Sequence, residues 1–232
     1  MKLKKLVREI NNLKNLEKAK ILSRFFKTGK GEYGEGDIFI GLTVPLQRSI
    51  AKRYSYLTLP DLQKLIDSPI HEYRLISLLI LVEKYKKGSQ KEKKNIVAFY
   101  LKNTKKINNW DLVDLSAEKI LGDYFMDKDK AIIYKLTKSA NIWERRISIL
   151  TTFQFIKNKK YDDTLKISEI LLKDKHDLIH KAVGWMLREI GKRDKKKEIE
   201  FLDKFYKTMP RTMLRYALEK FAESKRKYYL NK

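Results

Sequence analysis

The 232-residue chain contains no cysteine, so disulfides, thiolate nucleophiles and cysteine-ligated zinc or iron–sulfur centres are excluded. Long apolar runs are missing too. The longest, Leu75–Val82, is broken by Ser77 and falls well short of the ~20 residues that a membrane-spanning helix needs. The N-terminal stretch MKLKKLVREINNLKNL is charged throughout and lacks the apolar core and cleavage site of a secretory signal, so a cytoplasmic protein is expected. Patterns for nucleophilic serine chemistry, nucleotide P-loops and Ser/His/Asp constellations are absent. Of the three histidines, His176 and His180 stand four apart, but no glutamate accompanies them as a zinc protease would require. His176 is read as a helix start, and no metal site is expected.

Acidic residues are scarce. Asp and Glu number 29 against 53 Lys and Arg, a formal charge of +24. With 43% hydrophobic and 11% aromatic residues the chain still has material for a core, so the charge does not signal disorder. A phosphate backbone is the partner such an excess best fits; an anionic membrane surface is the alternative, but no insertion element exists to support it.

Strand signals are nearly absent, and helical spacing dominates. Lys2–Lys27 reads as one amphipathic helix, with Leu3, Leu6, Val7 and Ile10 followed by Ala19, Leu22, Phe25 and Phe26. The pattern stops at Thr28–Asp37, TGKGEYGEGD, which holds four of the nine glycines. Gly29-x-Gly31-x-x-Gly34 formally matches a dinucleotide fingerprint, but it follows a helix, and Glu32 and Glu35 would repel a pyrophosphate. A functional loop at 28–37 is the better reading. From Val44 on, helix follows helix, with breaks at Thr58-Leu59-Pro60, Ser68-Pro69 and Gly88-Ser89, and Pro210 at a late helix start.

One helix type recurs in register: Leu75-Ile76-Ser77-Leu78, Arg146-Ile147-Ser148-Ile149, His180-Lys181-Ala182-Val183 and Arg215-Tyr216-Ala217-Leu218. The small residues at 77, 148, 182 and 217 lie 71, 34 and 35 apart, and 71 is about two periods. A repeat of paired helices at this period suggests a solenoid. Tetratricopeptide and ankyrin signatures are missing, which leaves HEAT-like repeats. The expected fold is all-α, a curved α-solenoid of HEAT-like helical hairpins forming a single domain over 1–232. Its concave face should gather the second helices, whose cations Arg74, Arg145, Arg146, Lys181, Arg188, Arg211 and Arg215 would make a groove for a duplex.

The repeat register fails near residue 112, within Ile107–Gly122, INNWDLVDLSAEKILG. As a helix this segment puts Trp110 and Asp114 on one face, an aromatic and a carboxylate amid cations that attract a polyanion. Trp185 lies off the buried stripe Ile179, Ala182, Val183, Met186 and Ile190, beside Lys181 and Arg188, and is expected as an exposed binding residue. Gly184 before it would let a backbone or ligand approach closely. Trp143 is assigned to packing.

These pieces match a known family in order and spacing. Phe39-Ile40-Gly41-Leu42-Thr43-Val44-Pro45-Leu46-Gln47-Arg48, Asn109-Trp110-Asp111-Leu112-Val113-Asp114, Trp143-Glu144-Arg145-Arg146 and Lys181-Ala182-Val183-Gly184-Trp185-Met186-Leu187-Arg188-Glu189 make the chain resemble the AlkD-like DNA alkylation repair glycosylases over essentially its whole length. The resemblance implies a monofunctional hydrolase that excises cationic purines such as 3-methyladenine and 7-methylguanine from double-stranded DNA. It implies Asp114 as the catalytic carboxylate, Trp110 and Trp185 as cleft indoles around the deoxyribose, Arg146 as a phosphate ligand, and Arg48 and Arg188 as further DNA contacts. Arg145, Lys181 and Arg215 join them from the groove reading. No cofactor and no membrane partner are implied, a monomer suffices, and action on DNA would place the protein at the nucleoid. Some members carry a doubled tryptophan where this chain has Asn109-Trp110. The family also includes relatives that bind duplex or branched DNA without excising bases, which is the alternative for this chain; a solenoid that binds an acidic protein or RNA is a third reading.

Overall fold

The computed structural model describes residues 2–231 and is all-α. Among the described residues, β pairing is limited to one isolated parallel bridge between Ile38 and Ile70. No helix of the described chain is long and apolar enough to cross a membrane. The chain divides into two compact units, Met1–Ser116 and Ala117–Lys232.

The first unit comprises α1 (Lys2–Asn12), α2 (Leu16–Phe25), α3 (Val44–Arg53), α4 (Leu59–Ile66), α5 (His71–Lys87), α6 (Gln90–Lys102) and α7 (Trp110–Asp114). Helix α5 is its axis. The run Leu75–Val82 is apolar on every side, and such a helix is stable only when surrounded; every residue from His71 to Val82 is buried. Thr58 and Ser89 start α4 and α6 with capping boxes closed by Asp61 and Glu92, so the breaks read from sequence are true helix starts.

The helix expected over Lys2–Lys27 is instead two. The chain turns at Leu13–Asn15, where the Asn15 side chain accepts from Lys18 N at 2.9 Å and caps α2. The Asn15 amide is itself drawn to the Ile40 carbonyl at 2.9 Å. Gly41 lies against this corner with φ of +87°, where a Cβ would strike the Asn15 carbonyl oxygen, so both its conformation and the close approach require glycine.

The second unit opens with a π-helical turn, Glu118–Gly122, and continues through α8 (Asp123–Phe125), α9 (Ala131–Thr137), α10 (Ile142–Thr151), α11 (Phe153–Lys157), α12 (Asp162–Leu171), α13 (Asp177–Gly191), α14 (Lys195–Phe205), α15 (Arg211–Ala217) and α16 (Glu223–Leu230). His176 caps α13, its Nδ1 accepting from Leu178 N, and Pro210 precedes α15. Helix α13 packs against α10, α12, α14 and most closely α15. The α15 contact depends on Gly184, where a Cβ would press on the Met213 carbonyl oxygen and lie 2.5 Å from the Tyr216 Cβ. The glycine admits a neighbouring helix backbone. The register residues Ser77, Ser148, Ala182 and Ala217 are all fully buried, so the repeat read from sequence marks where helices meet.

Candidate functional site

Helix α7 is a short turn of the first unit, one helical turn separates Trp110 from Asp114, and both are half-buried on one face. The segment Ile107–Gly122 does not continue as one helix. It ends at Leu115, and the chain resumes as the π-helical turn, whose Gly122 has no room for a Cβ between the Thr151 carbonyl oxygen, 2.6 Å away, and the Gln154 Cβ.

Three anchors fix α7 from its buried side. Asn109 caps it, its Oδ1 accepting from Trp110 N at 2.8 Å. Asp111 Oδ2 lies 2.9 Å from His71 Nε2. At the far end the Tyr100 and Ser116 hydroxyls meet at 2.9 Å, and Ser116 donates to the Leu112 carbonyl at 2.5 Å. Tyr100 is fully buried; burial raises its phenol pKa, and the nearby Asp114 charge raises it further.

Behind Asp111 lies a buried ionic cluster that also takes in the glycine-rich loop. His71 Nδ1 lies 3.0 Å from Asp37 Oδ2, the same oxygen accepts from Asn109 Nδ2 at 3.1 Å, and Asp37 Oδ1 accepts from Arg74 at 2.5 Å. Burial works against the charge on His71, but Asp111 and Asp37 outweigh it and lift the imidazole pKa to about 9. Burial likewise opposes ionisation of Asp37, and His71, Arg74 and Asn109 more than offset it, so its pKa falls below the ordinary value. In the loop, Glu32 and Glu35 stay exposed and fold back on the backbone, accepting from Gly29 N and Gly31 N, both at 2.9 Å.

An aromatic wall stands beside this cluster. Trp110 stacks on Phe26 at 4.9 Å, Phe26 on Phe39 at 4.9 Å, and Phe39 on the His71 ring at 4.5 Å. Phe25 meets the Trp110 edge-on at 5.8 Å and stays exposed. Arg48 is exposed on α3. Arg74, expected as a groove cation, is buried against Asp37 and the Ser68 carbonyl instead.

The remaining sequence-derived residues belong to the second unit. Trp185 is half-buried rather than exposed: its ring meets Phe153 at 5.6 Å and its Nε1 donates to Glu189 at 3.3 Å. Glu189 also pairs with Lys192 and Arg193, whose attraction outweighs burial and holds its pKa down. Arg146 is buried and donates to the Leu178 carbonyl at 2.5 Å. Arg145 pairs with Asp174 at 2.6 Å, Lys181 with Asp177 at 2.7 Å, and Arg188 with Glu219. Lys181 and Arg215 line one open depression together with Thr212, Tyr216, Arg226 and the two acids Asp177 and Glu219. Trp143 is buried, in keeping with a packing role. Among the described residues no group of three His, Asp or Glu is placed to hold a metal ion.

Sequence reading missed Asp37, His71, Phe26 and Phe39 as neighbours of Trp110. One signal was available: His71-Glu72-Tyr73-Arg74 places ionisable groups directly before the most apolar run in the chain, where only paired charges can be buried.

A family model described as DNA alkylation repair enzyme matches residues 6–221. The fold is similar to a structure described as a predicted DNA alkylation repair enzyme from Enterococcus faecalis, with a TM-score of 0.70 and 18% identity over 90% of this chain and 97% of that one. It is also similar to the crystal structure of smu.31 from Streptococcus mutans UA159, with a TM-score of 0.58 and 18% identity over 96% of this chain and 100% of that one. No curated protein matches the sequence.

Proposed function

The chain belongs to the DNA alkylation repair enzyme family, and from that premise we propose that it is a monofunctional glycosylase excising cationic alkylated purines, such as 3-methyladenine and 7-methylguanine, from double-stranded DNA. The observation that carries this reading is the α7 face itself, where Asp114 and Trp110 stand one turn apart on an element anchored at both ends.

A purine alkylated at N3 or N7 carries a formal positive charge and leaves as a neutral base. The enzyme's task is then to stabilise the oxocarbenium-like sugar left behind. Asp114 supplies a fixed negative charge to that sugar and orients the attacking water, while the electron-rich Trp110 face offers cation–π stabilisation. The water adds to the anomeric carbon as the glycosidic C–N bond breaks, and its proton passes to solvent through the carboxylate. Trp185 and Arg146 are assigned to the substrate sugar and to a phosphate, and Arg48 and Arg188 to further DNA contacts, on the strength of their match to the family pattern; Arg145, Lys181 and Arg215 join them only from the reading of the second helices as a cationic groove. The lesion is read in the stack rather than flipped into a deep pocket. This chemistry calls for no metal or organic cofactor, and a monomer suffices.

Asp114→Asn tests the reading. It preserves shape and removes charge, so base release should disappear while duplex affinity stays similar or rises. Equal release by both proteins would remove Asp114 from the chemistry. Duplex binding without release by either would make the chain a non-catalytic DNA binder.

A further inference from the structure

We propose that His71 is a positioning residue for Trp110 and Asp114: clamped between Asp37 of the glycine-rich loop and Asp111 of α7, it pins the loop to the first turn of α7 and sets the orientation of the face carrying both side chains. The functional part of this proposal rests on the glycosylase reading above.

Two features set this cluster apart from ordinary packing. Burying two carboxylates, an imidazole and a guanidinium is a poor route to stability, because desolvation consumes most of the attraction; directional geometry is what such a cluster supplies. The geometry here is directional at both ring nitrogens, each 3.0 Å or less from its own carboxylate oxygen. Carboxylates only accept, so both contacts are hydrogen bonds only when both nitrogens carry protons. The bridge is therefore an imidazolium bridge.

Both routes out of His71 end at α7. The polar route runs through Asp111, next to Trp110 and three residues before Asp114, and is reinforced where Asn109, the α7 cap, shares the Asp37 oxygen. The aromatic route runs from the His71 ring through Phe39 and Phe26 to the Trp110 indole. The charged groups around the ring are Asp37 from the loop, Asp111 from α7 and Arg74 one turn along α5. Glu72, beside it on α5, is occupied by the backbone of Ile40 to Leu42. The His71–Asp111 contact is thus the strap by which α5 holds α7, and Asp37 of the loop braces it from the other side of the ring. Loss of the His71 proton turns one of the two donors into a lone pair facing a carboxylate and slackens that strap. With a pKa near 9, the pin is closed at neutral pH.

The test uses the full chain labelled with 5-fluorotryptophan, whose three fluorine resonances are assigned by Trp→Phe substitution. From pH 6 to 10, the Trp110 resonance should move with the His71 titration followed by imidazole NMR; in His71→Gln it should be displaced and lose that inflection. Single-turnover release of 7-methylguanine from a duplex should fall with the same midpoint in the wild type. His71→Gln should be about 10- to 100-fold slower, the scale of an ångström-level misplacement, with duplex Kd unchanged within about twofold. Should His71→Gln fail to fold, Asp37→Asn keeps the shape, removes one of the two charges, and should lower the His71 midpoint and the Trp110 inflection together. A Trp110 resonance indifferent to His71, or wild-type rates in His71→Gln, overturns the proposal. Coupled resonances without base release from any variant would uphold the pin and sink the glycosylase reading.

Discussion

Glu72 is the side chain whose removal should cost the first unit most. It is fully buried, and its Oε1 accepts from Ile40 N at 3.0 Å, Gly41 N at 2.8 Å and Leu42 N at 3.2 Å, with Oε2 also 3.1 Å from Ile40 N. Three successive amides converge on one carboxylate because Gly41 takes a positive φ that turns its N–H inward with its neighbours. Glu72→Ala leaves these donors without a partner, and a buried unsatisfied N–H costs about 1–3 kcal/mol. Allowing for partial relaxation, the loss should be about 3–6 kcal/mol, a large share of the 5–15 kcal/mol typical of a folded domain. Glu72→Gln keeps an acceptor oxygen and loses the charge assistance, and should cost about 1–2 kcal/mol. Urea unfolding followed by tryptophan fluorescence reads both, with the Ala variant's midpoint falling by roughly 2 M for an ordinary m-value. A loss below about 1 kcal/mol for Glu72→Ala would refute the view that this carboxylate holds Ile40–Leu42.

Other consequences can be checked with equal directness. Gly184→Ala forces a methyl onto the Met213 carbonyl and should cost about 1–3 kcal/mol through overpacking, lowering Tm by about 2–12 °C; an unchanged Tm would mean that α13 and α15 can part freely. Against the pull of burial, Asp111 and Asp37 lift the His71 pKa to about 9 from an ordinary 6.5, so its contribution to stability is complete below pH 6.5 and is lost as pH rises towards 9. The wild type should therefore lose up to about 3 kcal/mol more than His71→Gln between pH 6 and 9.5, and parallel losses would remove His71 as the cause. Asp37 has the opposite sign: its lowered pKa stabilises above the ordinary value of 3.8, and that support fades as pH falls through its folded pKa. Duplex affinity carried by roughly six phosphate contacts should drop about a thousandfold between 50 and 200 mM salt; a shallow slope would argue against binding through that many phosphates.

Much of the architecture is local in origin, which is why it could be read from residue order. The capping boxes at Thr58 and Ser89 and the His176 helix start follow from spacings of a few residues, and the buried register of Ser77, Ser148, Ala182 and Ala217 from one short helix pattern that recurs along the chain. The α7 face was legible for the same reason, since Trp110 and Asp114 are four apart. What could not be read is pairing at a distance. Asp37 finds His71 across 34 positions and Asn109 across 72, and nothing in the glycine-rich loop marks its aspartate as the buried one. The cations tell the same story. Arg145 and Arg188 pair with acids 29 and 31 residues away on later segments, whereas helical periodicity reports only that an arginine is near a surface. The break at Leu13–Asn15 also escaped notice because the competing partner of Asn15, the Ile40 carbonyl, comes from a distant loop.

The most direct test of the central claim is release of methylated purines from dimethyl-sulfate-treated duplex DNA by the wild type and Asp114→Asn side by side. The account predicts release of 3-methyladenine and 7-methylguanine by the wild type and none above the enzyme-free control by the variant, with both proteins binding the duplex. Release by both, or by neither, would contradict it.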